Sequence, residues 1–127
     1  MELEKLKIYK MSRDLSRLVW DIYDAMNIEN KILIGKQVVR STDSIGANIA
    51  EGYGRYHYLD SVKFYYNARA SHYEAIAHWL SLLYERCIVN NEEYQEILKI
   101  SNELAPKLNS FISSTYNAKK NIQISNF

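Results

Sequence analysis

Three observations predict an all-α protein, an antiparallel up-down-up-down four-helix bundle. Apolar residues recur at spacings of three and four through most of the 127 residues, the pattern of amphipathic helices. Four glycines and one proline leave few breaks, so long regular elements are favoured. The interruptions that do occur are short, and short links make consecutive helices antiparallel. Residues 1–116 are read as this single bundle, and residues 117–127 as a polar, flexible C-terminal tail. The hydrophobic fraction of 47% is enough to build a core without disulfides or metals.

In the first helix, Ile8, Met11, Leu15, Leu18, Ile22 and Ala25 form an apolar stripe that Val19 and Met26 widen. Glu2 and Glu4 suit the positive end of its dipole. Asn27 to Asn30 reads as a connection, and a second helix is expected from about Lys31 to Tyr53 with Ile34, Val38, Ile45 and Ile49 inward. Thr42, Gly46, Ala50 and Gly54, four apart, make a ridge of compact residues that admits a close neighbour. Gly52 and Gly54 are expected to end this helix through left-handed geometry.

Asp60 or Ser61 is the expected cap of the third helix. Val62, Tyr66, Arg69, Tyr73, Ile76, Leu80, Leu83 and Cys87 follow a heptad row that predicts its inward face, with Cys87 as a small core residue. Asn90 and Asn91 separate it from a fourth helix, whose first turn carries Glu92 and Glu93. That helix uses Tyr94, Ile97, Leu104, Leu108 and Phe111, flanked by Leu98, Ala105 and Ile112, and Pro106 within it predicts a kink.

A formal net charge of +1 argues against a dedicated DNA-coating protein, so any nucleic-acid role must come from local charge. One cysteine permits no intrachain disulfide and fits a reducing compartment. No stretch approaches the roughly 20 apolar residues of a membrane span, and the charged opening is unlike a signal peptide. The expectation is a cytoplasmic protein without membrane contact. His57, His72 and His78 do not assemble a di-iron ligand set with the available carboxylates, no phosphate-binding glycine motif occurs, and neither cofactor, metal nor small-molecule substrate is expected.

Polar residues within the apolar rows carry what functional signal there is. Arg40, Ser44 and Asn48 align four apart, Glu51 follows Asn48 by one turn, and Arg69, Ser71 and Glu74 cluster on the third helix. The plainer reading is a structural network of Asn48, Glu51, Arg69, Ser71 and Glu74 that sets helix register. An acid–base pair of Glu51 and Glu74 is the enzymatic alternative, with no cleft to support it. Tyr53, Arg55, Tyr56, His57 and Tyr58 interleave aromatics with cations at the helix exit, which suits either unpaired RNA bases or a protein interface. Lys10, Arg13 and Arg17 on the first helix, diluted by Asp14, Asp21 and Asp24, read as a solvated face.

Arg40 together with Ser44-Ile45-Gly46-Ala47-Asn48-Ile49-Ala50-Glu51-Gly52-Tyr53-Gly54-Arg55 resembles the motif of the 23S rRNA intervening-sequence protein family. Phe64, then Ala68-Arg69-Ala70-Ser71 and Glu74, and the opening Leu3 to Lys10 are similar to its other conserved runs. Ala70, His72, Ile76 and His78 depart from the family pattern, as do Thr42 and Asp43 where many members have alanines. The resemblance implies a four-helix bundle that assembles as a homopentameric ring. It also implies kinship with accessory proteins of diversity-generating retroelements, which bind nucleic acid and a reverse transcriptase, and it makes Arg40, Arg55 and Arg69 the positions to test. The expected function is therefore a non-enzymatic oligomer that binds RNA or a nucleoprotein. A protein–protein scaffold without nucleic-acid binding is the alternative.

Overall fold

The computed structural model describes residues 2–125, with side chains through Asn117. A short 3-10 turn, Leu3–Lys5, leads into helix α1, Lys7–Ala25. Helix α2 is continuous over residues 28–53, with a π-helical stretch Lys31–Gly35 between Ile28–Asn30 and Lys36–Tyr53. Helix α3 covers residues 58–85 as Tyr58–Tyr73, a second π-helical stretch Glu74–Leu80, and Ser81–Glu85. Helix α4 is Asn91–Ser125. The described residues contain no strand.

The up-down-up-down order follows from which residues meet. Gly35 lies against Tyr23 and Met26, whereas Gly46 lies against Ser12 and Tyr9, so α2 runs opposite to α1. Gly52 faces Ser61 and Tyr65, Ser44 meets Ser71, and Arg40 meets Glu74, so α3 reverses again. Arg69 with Asn109 and His72 with Ser101 orient α4. Lys7 with Glu103 closes the square between α4 and α1. Leu15, Val19, Ile34, Val38, Ile45, Ile49, Leu80, Leu83, Ile97, Leu104 and Leu108 fill the centre. Each contributes about 1.5–3 kcal/mol by leaving water.

The inward face of α3 differs from the heptad row. Val62, Tyr65, Ala68, His72 and Ala75 are buried, followed by Leu80 and Leu83, while Tyr66, Arg69 and Tyr73 face solvent. The π-helical stretch explains the difference. Its i→i+5 bonding inserts one residue into the period, so a row counted back from Leu80 is one residue out of phase before Glu74.

Local corrections have similarly specific causes. Helix α2 begins at Ile28 because the Asn27 side chain accepts the Asn30 N–H (2.8 Å) as an N-cap, which reduces the expected connection to two residues. Helix α3 begins at Tyr58 with no side-chain cap, and Ser61 Oγ instead donates to the His57 carbonyl. No glycine has positive φ, so Gly52 and Gly54 do not end α2 by left-handed geometry. Asn90 and Glu93 form a reciprocal capping box at the start of α4, each side chain accepting the other's backbone N–H. Pro106 sits within α4, and the helix continues through it. The tail expected over 117–127 concerns side chains that, beyond Asn117, lie outside the described residues; the helical backbone runs to Ser125.

Cys87 is exposed rather than in the core, and it is the one described non-glycine residue with positive φ (60°). The Cys87 N–H reaches the Tyr84 carbonyl and the Ile88 N–H the Leu83 carbonyl, the two bonds of a Schellman motif. A side chain at that position costs about 1 kcal/mol or more in left-handed geometry. Cys87→Gly is expected to raise stability by about 1 kcal/mol, seen as a higher urea midpoint with unchanged slope.

Candidate functional site

The polar residues of α2 and α3 sort into separate contacts. Near the middle of the seam, Asn48 Nδ2 donates to the Ser44 carbonyl (2.9 Å) and Oγ (3.0 Å), and Ser71 Oγ donates to Ser44 Oγ (3.0 Å). One level along, Arg40 pairs with Glu74 across the seam, and Gln37 accepts from Arg40 Nε (3.2 Å). Trp79 Nε1 donates to the same Glu74 carboxylate (2.7 Å). Glu74 and Trp79 are five residues apart, and the i→i+5 turn of the π-helical stretch brings such residues onto one face. The Trp79 hydrogen bond, followed by Arg40, holds the Glu74 carboxyl below its usual range. His78 stands edge-on to Trp79 at 4.5 Å between centroids.

Glu51 and Arg69 do not join this cluster. Glu51 pairs with Arg55 on its own helix (3.1 Å), and the Arg55 guanidinium also lies 4.7 Å from the Phe64 ring centre. Arg69 points away from the α2–α3 seam, donates to Asn109 on α4 (3.1 Å) and covers Tyr66 at 4.8 Å. The same one-residue phase difference that exposes Tyr66 and Tyr73 turns Arg69 outward. Arg40, expected at a nucleic-acid face or interface, is paired across the seam with Glu74 while its side chain stays partly exposed.

At the α2–α3 turn the tyrosines diverge. Tyr53 is half-buried against the core, and Tyr58 meets Tyr116 edge-on at 6.0 Å. Tyr56 is 90% exposed, with the His57 ring edge-on at 5.1 Å. Tyr65, packed beneath Gly52 and edge-on to Phe111, has its phenol pushed up to about 12 by burial and then by nearby Tyr53.

Two features lie outside the sequence-based set. His72 is buried with Nε2 2.7 Å from Ser101 Oγ, and burial lowers its pKa. The spacing Val62, Tyr65, Ala68, His72 could have placed it in the core. On α1, Arg13 donates to Tyr9 Oη (2.8 Å), Arg17 pairs with Asp14, and Trp20 is 52% exposed. Among the described residues no group of three or more His, Cys, Asp or Glu side chains could hold a metal ion, and no helix is long and apolar enough to cross a membrane.

The family described as 23S rRNA-intervening sequence protein matches residues 4–110. A solved structure from Bacteroides thetaiotaomicron VPI-5482, described as a protein of unknown function from the S23 ribosomal protein family, is 27% identical. The match covers 83% of this chain and 97% of that one, with a TM-score of 0.75. No curated protein matches the chain.

Proposed function

This chain belongs to the 23S rRNA-intervening sequence protein family, and from that premise we propose that it is a non-enzymatic, self-assembling bundle that binds RNA. The observation that carries this reading is Tyr56, an almost fully exposed ring between Arg55 and His57 at the end of the motif helix. An exposed ring beside the Arg55 guanidinium offers an unpaired base a stacking face and its phosphate a counter-charge. Arg40 and Arg55 are already paired with Glu74 and Glu51, but both pairs are partly exposed. Exposed pairs contribute at most about 1 kcal/mol, so a phosphate can displace the carboxylate at little cost.

Self-assembly, as the homopentamer that the family resemblance implies, is supported by large apolar side chains left outside: Ile28, Ile32, Leu33 and Tyr73 are 60% exposed or more. The same surface favours a second reading, a protein scaffold that does not bind nucleic acid. Fluorescence anisotropy with a structured RNA separates the two. Wild type is expected to bind at low salt and to weaken steeply toward physiological salt through counterion release. An Arg40→Glu, Arg55→Glu variant should lose most of that affinity. Absence of binding at low salt would leave the scaffold.

A further inference from the structure

Along α1, Tyr9, Arg13, Arg17 and Trp20 recur at spacings of four, four and three, which places them on one face of the helix. With Ser16 they form one wall of an open groove of about 550 Å³. The opposite wall belongs to the motif helix α2 and consists of Asp43, Gly46, Ala47 and Ala50. Close packing explains why the groove has a shallow, small-residue side. A Cβ on Gly46 would stand 2.9 Å from Ser12 Oγ, so α1 and α2 approach closely there. Ala47 and Ala50 then leave the space above them open.

The α1 wall reads aromatic, guanidinium, guanidinium, aromatic over about 16 Å of helix. Arg13 lies 5.7 Å from the Tyr9 ring centre and bonds its hydroxyl, and among the described residues it has no carboxylate partner. Arg17 is paired with Asp14 one turn away in an exposed contact, which a phosphate can replace cheaply. Trp20 is half-exposed and leans on Tyr23 at 5.3 Å. Lys10 continues the cationic edge beside Arg13.

We infer that this groove is the track for a single-stranded RNA segment, with bases stacking on Tyr9 and Trp20 and phosphates meeting Arg13 and Arg17 between them. The inference rests on the RNA reading above and extends the strand's contacts from the α2–α3 turn to the α1–α2 groove. Charge pattern selects this occupant. Two guanidiniums about 6 Å apart along the helix suit successive phosphates of one strand, and the ring at either end suits a base. Asp14 and Asp43 oppose phosphate at the rim, so binding is expected to be modest and strongly salt-dependent.

The test uses the full chain and a single-stranded oligouridylate. Trp20 and Trp79 are its two tryptophans, so Trp79→Phe leaves Trp20 as the only indole reporter. Binding is expected to quench Trp20 emission. In the otherwise wild-type chain, anisotropy with labelled oligouridylate is compared for Arg13→Ala, Arg17→Ala and for Lys99→Ala, which makes the result independent of how well Trp79→Phe folds. The double arginine variant should bind at least about tenfold more weakly and lower the salt slope by about 1.4, the share of two phosphates on a single strand. Lys99→Ala, which removes an exposed cation on α4 outside the groove, should bind within about twofold of wild type. Oligouridylate binding that the double variant retains would overturn the groove and leave the RNA reading intact. A blue shift of Trp20 with rising protein concentration, without RNA, would show a second copy covering the groove and also overturn it. No binding at low salt would overturn both.

Discussion

Gly52→Ala is expected to lower the free energy of unfolding by about 3 kcal/mol and the melting temperature by roughly 10 °C for a domain of this size. A Cβ at Gly52 would lie 2.6 Å from Tyr65 Cε1 and 2.8 Å from the Ser61 carbonyl oxygen. The second contact decides the magnitude. A side chain can rotate away, but a helix backbone moves only if α3 shifts as a unit. Tyr65 has little freedom either, because it is 3% exposed and held against Phe111. Gly54, two residues on, is the control. Its nearest atoms to an added Cβ are at 3.6 Å, and its φ of −81° suits any residue. Gly54→Ala should be neutral or stabilising by up to about 1 kcal/mol. Urea unfolding of both variants checks the pair, and equal losses would mean that close approach is not what Gly52 supplies.

Lowering the pH from 7 to 5 is expected to weaken the fold through His72. Burial between α3 and α4 depresses its pKa below the ordinary value of 6.5. The unfolded chain takes up a proton near 6.5 and the folded chain does not, so below that point the unfolded state binds more protons. The contribution is complete above 6.5 and is lost as the pH falls through the folded pKa. Arg69, on the same helix, lines the same α3–α4 seam as the His72 imidazole. Ser101 and Asn109 face it from α4 and do not titrate. Glu74 does not confuse the window, because its carboxyl lies below the usual range and protonates only at more acid pH. His72→Gln removes the titration while keeping a group able to bond Ser101. Its urea midpoint should change less between pH 7 and 5 than that of wild type; identical slopes would assign the effect elsewhere.

How much of the bundle is legible depends on the element. In the α1 stripe Ile8, Met11, Leu15 and Ile22 are buried as the spacing requires, with the widening Val19 and Met26, while Leu18 is half-buried and Ala25 exposed; Ile34, Val38, Ile45 and Ile49 of α2 are buried. In these stretches the α-helical period holds, so sequence spacing is spatial spacing. On α3 it fails by one residue, because the π-helical stretch from Glu74 to Leu80 changes the residues per turn. Tyr66, Arg69 and Tyr73 fall outside, and His72 falls inside. No propensity scale marks a π turn, since its extra residue is accommodated by packing on neighbouring helices rather than by its own composition.

The candidate site shows the same division. Asn48, Ser44 and Ser71 meet, and the helical offsets on α2 and α3 make such a meeting readable. That Arg40 takes Glu74, with Trp79 on the same carboxylate, depends on the axial offset of two helices and on a π turn. The α1 wall of Tyr9, Arg13, Arg17 and Trp20 is visible as a spacing, but without α2 opposite it there is no groove.

By itself the sequence determined the all-α class, the four helices, most of their inward faces and the family, because each is written in local period and in a contiguous motif. Tertiary structure alone decided why Gly52 is glycine, which arginines are paired, and which outward residues share a groove. Those are distances between residues far apart in the chain, and a one-dimensional pattern sets them only after helix phase and axial offset are known.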